Sequence, residues 1–360
     1  MLIEKKNFTR IYLINYLICF LPISLIIGNL ATNINVVFIC VFGIITYKFS
    51  LFKFDVNNKI FKYLIYGFFS YLVIITLQKS LPNLNTNILY KVHIIKSLFF
   101  LRFLIFLLVV SKLVQEKKFN FKFFLLISTI ASIIICFNVI LNKTGITNYS
   151  LFGEEKIMGG FIQKFSLFAI CFLNLFILNF KNKRNIFISN LLIISLFAIS
   201  LFLAENRISL LIFISYFFLF ALIYKQFRKY LISILILTSF LGIFFASIID
   251  NKNHVAKWLS FVGNARQIVV DGPKIFYHGY IKNYPIKYAG GNLVTMNSGV
   301  QTWKENKIFG GGLKSYRVNC NDQGKELKVI FMDCNTHPHN YTIELLVDTG
   351  IIGLSFVYLI

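Results

Sequence analysis

Apolar residues in this chain come in long blocks, not in the alternation of a half-buried strand. Blocks of roughly 17 to 22 residues recur, about the length a helix needs to cross ~30 Å of hydrocarbon. Ten of them, near 11–28, 34–52, 60–77, 92–113, 121–141, 161–180, 186–204, 208–224, 230–249 and 341–360, predict an all-α polytopic membrane protein with about ten transmembrane helices. Nine precede a long polar stretch and one follows it. The expected organisation is therefore helices over 1–249, a large outer loop over 250–340 and a tenth helix over 341–360. That last block ends without a polar flank, so further helices are expected beyond residue 360. The basic segment Met1 to Arg10 runs into the first block with no small-residue cleavage site, which reads as a signal anchor.

Composition narrows the class. With 57% hydrophobic and 14% charged residues among 360, the chain is too apolar for a soluble domain of its size. A net charge of +23 invites a nucleic-acid reading, but the cations sit in short loops between blocks, where they orient a membrane protein and meet anionic headgroups. No nucleic-acid partner is expected. With the N-terminus inside, the inner loops hold seventeen Lys and Arg and the short outer loops seven, from Lys79 to Arg207. This bias puts residues 250–340 outside the cytoplasm, on the periplasmic face of an inner membrane. That loop carries twelve Lys and Arg against six Asp and Glu, a balance suited to an anionic ligand or to a solvated basic surface.

Chemistry concentrates where the loop meets the last block. His337 and His339 stand there with Asn340, a good helix N-cap. An imidazole near neutral pH can move a proton or meet phosphate. As a metal site the pair would need a third ligand from nearby Asp333 or Cys334. The chain has no H-E-x-x-H and no D-x-D pair, so neither metal nor other cofactor is expected. Cys19, Cys40, Cys136 and Cys171 lie in apolar blocks as core fillers, whereas Cys320 and Cys334 lie in the outer loop and are predicted to pair as a disulfide. The glycines Gly310, Gly311 and Gly312 are not a P-loop, since no Lys-Ser or Lys-Thr adjoins the last of them; a tight loop beside the histidines is expected.

His339-Asn340, nine residues, Gly350, two residues and Gly353 read H-N-x9-G-x-x-G. This pattern resembles the O-antigen ligase and polymerase family of bacterial envelope glycosyltransferases, in which such a motif opens a late transmembrane helix after a large periplasmic loop. The turn Ala204-Glu205-Asn206-Arg207 and the stretch from Trp303 to Leu313 are similar to further family segments, with Ile308 where a proline is usual. The resemblance covers roughly 186–354. It departs at Asn297 and Gly299, where relatives carry an arginine before the tryptophan, leaving Arg266 or Arg317 to serve instead.

The resemblance implies transfer of a glycan from undecaprenyl diphosphate to an acceptor sugar outside the inner membrane, by a metal-independent inverting glycosyltransferase. His339 and Arg207 would be catalytic. His337, Asn340, Arg266 and Arg317 would bind substrate, and Gly350 and Gly353 would lie on one helix face, letting a neighbouring helix approach closely. The implied partners are the lipid-linked donor, a lipid A-core or other glycan acceptor, and membrane lipids. A polymerase of the same chemistry is an alternative, as is, more distantly, a lipid-linked oligosaccharide flippase.

Overall fold

The computed structural model describes residues 2–53, 59–84, 88–143, 145–147, 151, 155–172, 183–204, 206–223, 225, 228–248, 269–270, 291–320, 334, 337–338 and 340–360. Among them there is no strand. Twelve α-helices follow in order: α1 Leu2–Cys19, α2 Leu21–Ile27, α3 Asn29–Tyr47, α4 Lys59–Ser80, α5 Ile88–Gln115, α6 Phe121–Lys143, α7 Glu155–Phe172, α8 Lys183–Leu203, α9 Arg207–Ile223, α10 Arg228–Ile248, α11 Gly291–Glu305 and α12 Tyr341–Leu359.

Five stretches are long and apolar enough to cross a membrane: Asn29–Phe52, Ile60–Asn83, Ile88–Gln115, Phe121–Lys143 and Tyr341–Leu359. The first expected span is a broken pair instead, Thr9–Cys19 and Leu21–Ile27 bent by 50°. Pro22 starts the second piece, where its missing N–H costs nothing. Helices α7 to α10 fall on the other four expected blocks, but Met158–Phe172, Ile188–Leu203 and Ile208–Ile223 are shorter than a span. Five or six of the ten expected spans thus meet the requirement among the described residues. Most of the expected outer loop lies outside them.

The chain divides into two compact units. The first comprises Met1–Lys48 and Val109–Trp258. Its core is a cluster from α6 to α10 in which Ile135, Met158, Ile162, Phe197, Leu201, Phe213 and Phe217 are all but fully buried. Asn15 of α1 ties down the turn before α6: its Nδ2 donates to the Lys118 carbonyl at 2.6 Å and its Oδ1 accepts the Asn120 N–H at 3.1 Å. Asn206 caps α9 by accepting the Ser209 N–H.

The second unit comprises Phe49–Leu108 and Leu259–Ile360. Its organising feature is a break in α12 at Gly350, where φ is 63° and ψ is −167°. An unbroken helix would bond the Ile351 and Ile352 N–H groups to the Val347 and Asp348 carbonyls. Here those two N–H groups donate instead to the carbonyls of Lys307 and Ile308, at 2.9 and 3.3 Å. The Val347 and Asp348 carbonyls accept from Gly311 and Gly312, both at 2.8 Å. Tyr71 of α4 sets its hydroxyl between the Phe309 and Thr349 carbonyls, at 2.8 and 3.0 Å. The glycine loop therefore lies in the break and takes over its hydrogen bonds, which is how interrupted backbone is tolerated at membrane depth.

Glycine is required on both sides of this joint. A Cβ on Gly310, which has φ +77°, would come within 2.5 Å of the Gly350 nitrogen, and one on Gly350 within 2.2 Å of the Ile308 carbonyl oxygen. This corrects the expectation of one smooth helix face: Gly350 admits a loop, not a neighbouring helix, and a Cβ on Gly353 would strike Thr349 of its own helix. The loop is fixed at its other edge by α4, where Leu313 N–H donates to Thr76 Oγ1 and Lys79 Nζ donates to Asn306 Oδ1.

Two outcomes follow for stability. Gly310→Ala forces a left-handed alanine, at ~1–2 kcal/mol before any clash, and should lower the thermal midpoint of the detergent-solubilised protein. Gly160→Ala, in α7 with open space around it, should leave that midpoint unchanged or raise it. Equal midpoints for the two variants would contradict the docking of the loop. Second, the structure joins Cys320 and Cys334, with Cα atoms 5.7 Å apart, while Cys19, Cys40, Cys136 and Cys171 take part in no disulfide. Alkylation of the denatured protein should label four cysteines before reduction and six after it. Cys334→Ala should cost ~3 kcal/mol by the chain-entropy account of a loop this size.

Candidate functional site

The second unit contains a half-open cleft of about 390 Å³ lined by Lys314, His337, Asn340, Tyr341 and Glu344. Each comes from a segment whose position has an identifiable cause. Asn340 is the N-cap of α12, extended at φ −144° and ψ 119°, and its Oδ1 accepts the Ile343 N–H at 3.1 Å. The cap starts the helix at Tyr341 and places Glu344 in the first turn, where a carboxylate suits the positive end of the helix dipole.

His337 is held from both sides. Three residues before it, the Cys334–Cys320 disulfide ties the segment to the helical residues 316–320. One residue after it, Pro338 packs against Gly299 of α11, where a Cβ would lie 2.7 Å from the proline Cβ and 2.5 Å from Ile343 Cγ2. Gly299 is where the family resemblance expects an arginine nearby; in this chain it is a contact surface for the histidine segment. Beneath lies a small apolar core of Val300, Tyr316, Cys320, Ile343 and Val347, with Trp303 and Cys334 against it. Because Cys334 is oxidised, its sulfur offers no thiolate to a metal.

Lys314 enters from the glycine loop. Its backbone takes the left-handed conformation, φ 63°. Its N–H donates to Asp348 Oδ2 at 2.9 Å, and the Ser315 hydroxyl lies near the Val347 carbonyl and Asp348 Oδ1, at 3.3 and 3.4 Å. Its ammonium forms an ion pair with Glu344. Asp348 is buried, so its carboxylate acts inside the joint and not in the cleft. Nearby, partial burial and, after it, the Lys307 charge push Lys304 below the usual lysine range.

The sequence-predicted residues distribute as follows. His337 and Asn340 meet in the cleft. Arg317 is half-buried in the helical residues 316–320 and does not line the cleft. Arg207 is the first residue of α9; its side chain lies outside the described residues, as do His339 and Arg266. Sequence reasoning missed Lys314, Tyr341 and Glu344. The signal for Lys314 was the Lys-Ser pair one residue beyond the glycines, and the signal for Glu344 was its place four residues after the cap, one turn along the same face. Together the lining groups offer a cation, an imidazole, an amide, a phenol and a carboxylate. That set can hold an anion beside a polyhydroxylated ligand.

Comparison with known proteins adds one finding. No curated protein and no solved structure matches the chain. Residues 191–358 match a family model described as O-Antigen ligase, a stretch that includes α9 to α11, the glycine loop and every residue lining the cleft. Over that stretch the chain is similar to the O-antigen ligase family.

Proposed function

We propose that this protein transfers a glycan from undecaprenyl diphosphate to a sugar hydroxyl on the periplasmic face of the inner membrane, as a ligase whose acceptor is lipid A-core. The observation that carries this reading is the cleft at the head of α12, where Asn340 of the family-like motif stands with His337, Lys314 and Glu344. Polarity on one side of the membrane supports it. The C-terminal end of α4, outside by the loop-charge count, meets the loop at Asn306 through Lys79. A transporter would instead need polar groups spread through the bilayer midplane.

In the proposed reaction the acceptor hydroxyl attacks the anomeric carbon of the donor sugar. Its proton passes to the His339 imidazole while the bond from that carbon to the diphosphate oxygen breaks, so the anomeric centre inverts. Charge grows on the departing diphosphate, and Arg207, with Arg266 or Arg317, is proposed to balance it through bidentate guanidinium contacts. His337 and Asn340 hold sugar or phosphate oxygens. No metal is assigned a step. A polymerase, with a lipid-linked repeat as acceptor, would use the same groups.

Complementation of a strain lacking its surface-polysaccharide ligase tests this, read on gels as capped against uncapped lipopolysaccharide. His339→Ala should lower transfer by ~100-fold or more, the usual range for a lost general base. Arg207→Ala should lower it comparably, with normal protein levels in the membrane. Full transfer by both variants would falsify the site assignment. Longer glycan chains without new capping would favour the polymerase.

A further inference from the structure

We propose that Lys314 contacts the diphosphate of the substrate, and that Glu344 holds its ammonium in place while the cleft is empty. The proposal deepens the transferase reading and rests on it for the identity of the diphosphate, a ligand the sequence had left to arginines and the histidine pair.

The backbone is the first reason. A lysine at φ 63° occupies a conformation that glycine adopts freely and that other residues adopt at a cost. The neighbouring glycines show that glycine is available to this loop. The lysine is retained and its turn is braced by a buried carboxylate, Asp348, which accepts its N–H. Strain held this firmly at a cleft points to a use for the side chain.

The second reason is where that side chain goes. The ammonium opens on the cleft beside His337 and Asn340 and pairs with Glu344. The side chains of the pair are 35% and 18% exposed, so water reaches both, and an ion pair in that setting is weak enough to exchange. An incoming diphosphate offers more negative charge and more acceptor oxygens than one carboxylate. Glu344 therefore stands where a ligand anion would bind. It keeps the long lysine side chain extended into the cleft, which reduces the ordering needed on binding.

Because the pair has opposite signs, its members have opposite predicted effects. Purified full-length protein would be titrated with inorganic pyrophosphate, and with orthophosphate as a second arm, at fixed ionic strength. Wild type should bind pyrophosphate more tightly than orthophosphate. Lys314→Gly, which eases the backbone while removing the cation, should weaken pyrophosphate binding about tenfold or more without lowering the thermal midpoint. Lys314→Arg should retain binding, and Glu344→Gln should tighten it by removing the competing charge. The inference is overturned if wild type shows no pyrophosphate binding, if Lys314→Gly binds as wild type does, or if Lys314→Gly and Glu344→Gln shift affinity in the same direction. Neither glycan nor transfer enters this measurement. Opposite shifts alongside a failed complementation would leave Lys314 as an anion site and remove the transferase reading. Equal shifts alongside loss of transfer in His339→Ala would do the reverse.

Discussion

A single exchange of backbone hydrogen bonds organises the second unit. At Gly350 the last helix gives up two of its own bonds, and residues 307–312 replace them with four to the glycine loop. In hydrocarbon an orphaned amide or carbonyl costs several kcal/mol, so neither the break nor the loop is stable without the other. Tyr71 adds a hydroxyl from α4 and Thr76 accepts the Leu313 N–H, so the joint is also bonded to a helix more than 200 residues away in sequence. What reads along the chain as a polar loop and an apolar helix is one cooperative element.

The cleft grows out of that joint. Gly311 and Gly312 bond the carbonyls of Val347 and Asp348, and Lys314, two residues on, bonds the Asp348 side chain. Lys314 is thereby placed relative to the first turns of α12, which carry Glu344 and begin at the Asn340 cap. The histidine segment arrives independently, pinned by the Cys320–Cys334 bond and by Pro338 on Gly299. Two rigid supports, one a hydrogen-bonded joint and one a covalent tie over a small apolar core, thus bring a cation and an imidazole to the same opening. Preorganisation of this kind spares a binding site the ordering cost it would otherwise meet.

Much of this was legible in the residues. Block length located helices to within a few positions, as at Phe121–Lys143 and Tyr341–Leu359, because hydrophobic thickness constrains a span whatever it packs against. Asn340 was legible as a cap because capping is local. The break at Gly350 was not legible: a G-x-x-G spacing fits a small-residue packing face equally well, and only the approach of residues 307–312 from another part of the chain decides between them. Lys314 was hidden for a related reason. The Lys-Ser pair beyond the glycines is a faint signal, and the left-handed turn that holds the lysine is braced by Asp348, 34 residues away. The bend between α1 and α2 did carry a signal, Pro22 inside the apolar run, which block length alone passes over.

These constraints also separate what is general in the site from what can vary. The joint uses backbone groups, glycines and one buried carboxylate, none of which lines the cleft, and it would position a cation in the same way for any acceptor. The exposed lining, Tyr341 above all, is free of that scaffold: it sits at the rim, 84% exposed, on a helix already fixed by its cap and its break. Selection for a different acceptor sugar could therefore act on such rim positions without disturbing the groups proposed to face phosphate. Ligase and polymerase, on the proposed reading, would differ in the rim and share the joint, and a pattern that follows the joint, as H-N-x9-G-x-x-G does, is silent on the acceptor.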